Sequence, residues 1–294
     1  MAFQVRSAVP EDAAAIAAIW QDVLPYLVKT PRGIEGELRT STGRTVLVAT
    51  DGVRVLGYGS AWRAERPGDG SRVAVLVPGY ERGQGVGTAL AERVETVAAR
   101  AGAGSLLTAV SDDSLDFAVG RGFTIGRELS YSRADLTGLP EPAAVPDGMR
   151  LSDFTGLDPH QVWSASREVA GDDPSGLSEV PAYDEWLATE WRHPDHALDL
   201  SIAVLDDGTV ASFVSTTADH DRGVVWSNLT GTRPSYRGRG LAKVVKSHAL
   251  ARCRDAGITA AHTGNDANNH PMLAVNGWLG YSVAGAQWTA TKSV

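Results

Sequence analysis

The sequence holds one cysteine, Cys253, so no intrachain disulfide can form and no cysteine cluster exists to hold zinc. Beside Leu250 and Ala251 it reads as a buried thiol, and no metal site is expected. Long apolar runs are missing as well. The stretch from Ala13 to Trp20 is too short to span a bilayer, and Glu11 and Asp12 precede it where a secretory leader has basic residues. The expected compartment is therefore the cytoplasm. Basic runs are also absent, and the formal charge is −8, which argues against nucleic acid and anionic membranes as partners.

What is present is a soluble composition, 43% hydrophobic and 21% charged over 294 residues, enough chain for two ordinary domains. The chain also repeats itself. Val77-Pro-Gly-Tyr-Glu-Arg82-Gly-Gln-Gly-Val-Gly87 is echoed by Thr232-Arg-Pro-Ser-Tyr-Arg237-Gly-Arg-Gly-Leu-Ala242, Gly122-Phe123 by Gly280-Tyr281, and Val5-Arg6 by Met149-Arg150. A Pro- and Gly-rich stretch separates the copies, giving domains at 1–140 and 149–294 with a linker at 141–148.

Each copy predicts the same order. In the first, a strand at 3–8 and a helix at 11–24 precede strands at 44–50 and 53–63 about an Asp51-Gly52 hairpin. A strand at 72–77 enters the glycine loop, followed by a helix at 84–101, a strand at 105–110, a helix at 112–121 and two closing strands near 123–134. In the second, strands are expected near 150–154, 199–205, 209–217, 223–231 and 258–263. Helices are expected near 159–170, 181–192, 239–256 and 270–279. The fold class is α/β, a mixed sheet flanked by helices, twice in tandem.

An Arg-x-x-Gly-x-Gly/Ala loop between a strand and a long helix suits a diphosphate, because glycines let backbone N–H groups crowd an oxyanion at the helix N-terminus. It is not a Walker loop, since no Gly-Lys-Ser/Thr follows, and it lacks the dinucleotide fingerprint's spacing. Both loops resemble motif A of the GNAT acyltransferases, and the layout is similar to tandem GNAT proteins such as the mycothiol synthases. The resemblance implies that Arg82, Gly83, Gln84, Gly85, Val86 and Gly87, and Arg237, Gly238, Arg239, Gly240, Leu241 and Ala242, bind the pyrophosphate of acetyl-CoA or another acyl-CoA. Asn265 and Asn269 fall in the family's motif B region. The strand before each loop, near Leu76 and Val77 and near Thr230 and Thr232, is implied to hold the thioester carbonyl by its backbone N–H groups.

The family's usual general base and acid positions fall on Ser71 and Trp226, and on Ala118 and Asn276. None of these is a proton-transfer group, although Asn276 can donate a hydrogen bond. His220 with Asp221, at the turn feeding the second loop strand, and His262 are the substitutes on offer. Residues 168–221 hold thirteen acids, among them Glu168, Asp172, Asp173, Glu179, Asp184 and Glu185, against the single base Arg192. With Trp163, Tyr183, Trp186 and Trp226 nearby, this suggests a cationic small-molecule amine as acceptor and the second copy as the catalytic one. Two other readings stand beside it. The acyl group rides on an acyl carrier protein, or the pair binds an acyl-CoA without turnover.

Overall fold

In the computed structural model, residues 2–40, 43–63, 66–171, 180–266 and 268–294 are described. They form two compact units, one of residues 1–129 with 286–294, the other of residues 130–285.

The first unit starts with β1 (Gln4–Ser7), α1 (Ala13–Val23), α2 (Pro31–Thr40), β2 (Arg44–Thr50), β3 (Val55–Trp62) and β4 (Gly70–Leu76). It continues with α3 (Val86–Arg100), β5 (Ser105–Val110), α4 (Leu115–Gly120) and the start of β6 (Thr124–Asp135). Strands β1 to β4 form an antiparallel run, β5 adds parallel to β4, and the chain's last strand pairs antiparallel with β5 from Trp288–Val110 to Ser293–Ser105. Two glycines of β3 let α3 approach closely. A Cβ on Gly57 would lie 2.8 Å from Leu90, and one on Gly59 2.9 Å from Val94. Leu90, Val86 and Val94 are each 1% exposed or less, so α3 and the loop at its start are fixed against the sheet.

The second unit holds the rest of β6, then β7 (Met149–Asp153), α5 (Pro159–Ala170), α6 (Tyr183–Trp186), β8 (Ile202–Asp206), β9 (Thr209–Asp219) and β10 (Val224–Thr232). After these come α7 (Leu241–Asp255), β11 (Ala260–Asp266), α8 (His270–Trp278) and the start of β12 (Ser282–Ser293). Its strands follow the order β6, β11, β10, β9, β8, β7, with only the β10–β11 pair shown parallel. Helix α5 packs closely on β10, where a Cβ on Gly231 would lie 2.6 Å from Val169.

The elements follow the sequence pattern with five differences, the first being that the closing strand β12 was not expected. A helix at Pro31–Thr40 was not expected, because Gly33 and Gly36 lower its intrinsic propensity. Thr30 starts it by accepting the Gly33 N–H at 3.0 Å. The two closing strands near 123–134 are one twelve-residue strand, β6. The helix expected over 181–192 is a single α-turn that continues as a π-turn over Leu187–Trp191. The stretch 141–148 packs on the second unit, where the Ala143 N–H donates to Ser247 Oγ at 3.0 Å and Ala143 and Val145 join an apolar cluster with α7.

Candidate acyl-CoA site

The two glycine loops adopt one conformation. Gly83 and Gly85 have φ of 75° and 84°, and Gly238 and Gly240 have 76° and 73°, a left-handed setting that suits glycine. Gly85 and Gly240 cap α3 and α7, and no side chain caps either helix and no acid stands in either first turn. The first-turn N–H groups are thus left to a ligand, and the helix dipole favours an anion there. A Cβ on Gly83, Gly85, Gly238 or Gly240 would meet nothing within 4 Å, so both loops face open space. Val86 and Leu241, each 1% exposed, anchor the helix starts. The arginines match as well. Arg82 Nε donates to the Val77 carbonyl at 3.1 Å and Arg237 Nε to that of Thr232 at 3.2 Å, folding each loop back on its strand.

A channel of about 540 Å³ opens beside the first loop. Its cause is the sheet: β4 and β5 pair at Gly70–Ser105, Ser71–Leu106 and Arg72–Leu107 and then part. Every residue from Val73 to Val77 lines the space, as do Thr108 to Ser111. Successive strand residues point to opposite faces, so a lining made of five in a row means that the channel passes through the sheet. Gly83, Gly85 and Gly87 stand at the α3 side, and Val23 and Leu24 at the α1 side. The β4 backbone past Arg72 has no strand partner toward β5, which frees N–H groups for a carbonyl oxygen. The channel's charged side chains are ion-paired: Arg82 with Asp113 at 2.5 Å and Arg121 with Glu95 at 2.9 Å. Hydrogen bonds from Ser111 and Arg82 hold the Asp113 carboxyl below its ordinary value.

In the second copy β10 and β11 likewise part after Ser227–Thr263, but a bulge at Asn228 adds a residue to β10. The ladder therefore sets Trp226 level with Arg72, not with Ser71, and puts buried Val225 at the Ser71 position. Neither copy supplies a base there. Thr230 and Thr232 lie on the strand beyond the bulge, and Thr232 Oγ1 is 2.9 Å from Ser212 Oγ.

His220 and Asp221 are exposed in the β9–β10 turn. That turn is at the far end of the nine-residue β10 from the loop, roughly 26 Å away at ~3.3 Å per residue. The structure therefore does not bring them to the loop. His262 lies opposite Trp226, 8% exposed, and burial pushes it down to about 4. Asn276 does meet a second expected residue, donating to Asn265 Oδ1 at 2.6 Å. Asn269 instead caps α8 by accepting the Met272 N–H at 3.3 Å.

On the expected acceptor wall, Glu168 is ion-paired with Arg233, while Asp184 and Glu185 are exposed. Asp172, Asp173 and Glu179 lie outside the described residues. Trp163, Tyr183 and His160 form a group with ring centroids 5.1–5.5 Å apart, whereas Trp186 is buried in the core and Trp226 packs against Tyr131. One half-buried and one buried polar side chain went unnoticed in the sequence. His196 bonds the Trp191 carbonyl through Nδ1 at 3.2 Å and Ser215 through Nε2 at 3.2 Å. Lys246 is 1% exposed, with no hydrogen-bond partner for Nζ. Both sit in segments whose pattern marks only ordinary helix or loop.

The chain resembles known proteins in sequence and in fold. The chain is similar to the mycothiol acetyltransferase of Nocardiopsis dassonvillei, 27% identical over 271 residues, covering 83% of this chain and 80% of that one. It is 29% identical over 221 residues to the mycothiol acetyltransferase of Actinosynnema mirum, covering 73% and 72%. In fold it resembles a tandem GNAT protein from the clavulanic acid biosynthesis pathway, with a TM-score of 0.76, 19% identity and coverage of 99% and 98%. A GCN5-related N-acetyltransferase from Sphaerobacter thermophilus gives a TM-score of 0.71, 19% identity and coverage of 99% and 95%. The acetyltransferase (GNAT) family model matches residues 13–123 and 163–280, one match per glycine loop, and the chain belongs to that family of acetyl-CoA-dependent N-acyltransferases.

Proposed function

We propose that this chain transfers an acetyl group from acetyl-CoA to the amine of a small molecule, with the donor's arm in the channel between β4 and β5. The observation that carries the reading is the channel itself, which starts at the first glycine loop and crosses the sheet. The loop N–H groups take the diphosphate, and the unpaired β4 backbone takes the thioester carbonyl. The amine comes from the α1 side and attacks that carbonyl. The nitrogen–carbon bond forms as the carbon–sulfur bond breaks, and CoA leaves as the thiol. The channel's charged groups are engaged in ion pairs, so the amine's proton passes to water.

A second reading puts turnover in the second copy with a cationic acceptor. It is favoured by the Trp163–Tyr183–His160 ring group and by the acid-rich stretch 168–221. One experiment separates the two: thiol release from acetyl-CoA with a panel of small amines, for the parent chain and for Gly83→Trp and Gly238→Trp. Loss of turnover with Gly83→Trp alone supports the channel reading, and loss with Gly238→Trp alone supports the second copy. Acetyl-CoA binding with no turnover on any amine overturns both.

A further inference from the structure

The two copies match closely enough to pair residues that line the first copy's channel with their counterparts in the second. Helices α3 and α7 have the same length and the same glycine cap, which pairs Ala91 with Lys246. The strand ladders pair Val73 with Ser227, Thr108 with Thr263 and Val110 with Asn265. At the end of the next helix, Phe123 N–H donates to the Ala118 carbonyl at 3.1 Å and Tyr281 N–H to that of Asn276 at 3.0 Å. Ala118 therefore pairs with Asn276, and Phe123 with Tyr281.

All six residues of the first copy line its channel, and five of them are apolar. All six counterparts carry a polar atom. Five of these are at most 8% exposed: Ser227, Lys246, Thr263, Asn276 and Tyr281. Lys246 Nζ sits 5.1 Å from the centre of the Tyr281 ring. Neither Lys246 Nζ nor Asn276 Oδ1 has a hydrogen-bond partner. Buried polar atoms are rarely left so, and an unpaired buried amine is costly unless an anion joins it. The chain thus holds a cation-capable group where its own first copy lines an acyl-CoA channel with alanine.

We propose that the second copy binds an acyl thioester of CoA whose acyl chain ends in a carboxylate, and that Lys246 selects it by pairing with that carboxylate. The ammonium then gains the counter-charge it lacks, and the Tyr281 ring face supports it from one side. This inference rests on reading the loop from Arg237 to Ala242 as a CoA cradle, so the test keeps the two ideas apart.

The full chain carrying Gly83→Trp, which blocks the first loop, is titrated by calorimetry with CoA, acetyl-CoA, succinyl-CoA, and CoA together with free succinate. Arg82→Glu serves as a second blocked form, and circular dichroism checks that each variant is folded. Succinyl-CoA is expected to bind at least tenfold more tightly than acetyl-CoA. Lys246→Met in the same background is expected to abolish that preference while leaving the affinity for CoA within about threefold. Equal affinity for the two thioesters, or a preference that survives Lys246→Met, overturns the role of Lys246. A gain with free succinate plus CoA equal to that with succinyl-CoA overturns the thioester as source of the carboxylate. Failure of CoA itself to bind, in a folded chain, overturns the cradle reading and the inference with it.

Discussion

Gly85 and Gly240 are where one atom decides most. An alanine at φ of 84° or 73° meets no neighbour, so its cost is backbone strain alone, about 1–2 kcal/mol. Urea unfolding of Gly85→Ala and Gly240→Ala should show that loss, with acetyl-CoA binding weakened in the first. Lys246 gives a different signature. Burial lowers it to about 7, below its value in the unfolded chain. Between those values the unfolded chain binds more protons than the native one, so stability rises with pH from about 7 to about 10 and is lowest below that window. Its titratable neighbour Tyr281, over whose ring Nζ sits, is pushed upward by burial, and so lies above it. Lys246→Met should flatten the slope and stabilise the chain near neutrality by about 1–3 kcal/mol, as read from urea midpoints across the window. The glycines were legible in the sequence because their spacing is the motif. Lys246 was not, because a lone lysine on a helix usually faces water, and only the match with Ala91 marks it as buried.

Among the elements, β12 holds the first unit together at one edge. Its residues from Trp288 to Ser293 pair with β5, and Gln287 lines the channel. Removing residues 286–294 should unpair β5 and open the channel wall. Acetyl-CoA affinity should then fall by at least tenfold, measured by calorimetry, and a synthetic peptide of those residues should restore part of it. The order of strands, loop and helix was readable from hairpin signals at Asp51-Gly52 and Asp207-Gly208 and from helical periodicity. The pairing of β12 with β5 was not, since strand partners far apart in sequence leave no local pattern. The π-turn at Leu187–Trp191 was equally hidden, because its residues have the periodicity of an ordinary helix.

For the whole molecule, the repeat made the family and the two glycine loops legible, while the contrast between the first copy's channel lining and its counterparts in the second needed the structure. Ligand binding to the native state raises stability by about 2.7 kcal/mol at a hundredfold excess over Kd. Acetyl-CoA should therefore raise the melting temperature of the parent chain, and Gly83→Trp should remove most of that shift if the channel between β4 and β5 is the donor's seat. No helix among the described residues is long and apolar enough to cross a membrane.

The first unit's use of residues 286–294 also sets an order in time. A chain made from its N-terminus has the first glycine loop early, but the strand that covers β5 emerges only after the whole of the second unit. During synthesis β5 presents an open edge that invites pairing with other chains, so the first copy is both the first made and the last completed. Slowing translation through the second half should lengthen that exposure and increase aggregation of nascent chains, and a chain relinked to place 286–294 ahead of residue 1 should be spared.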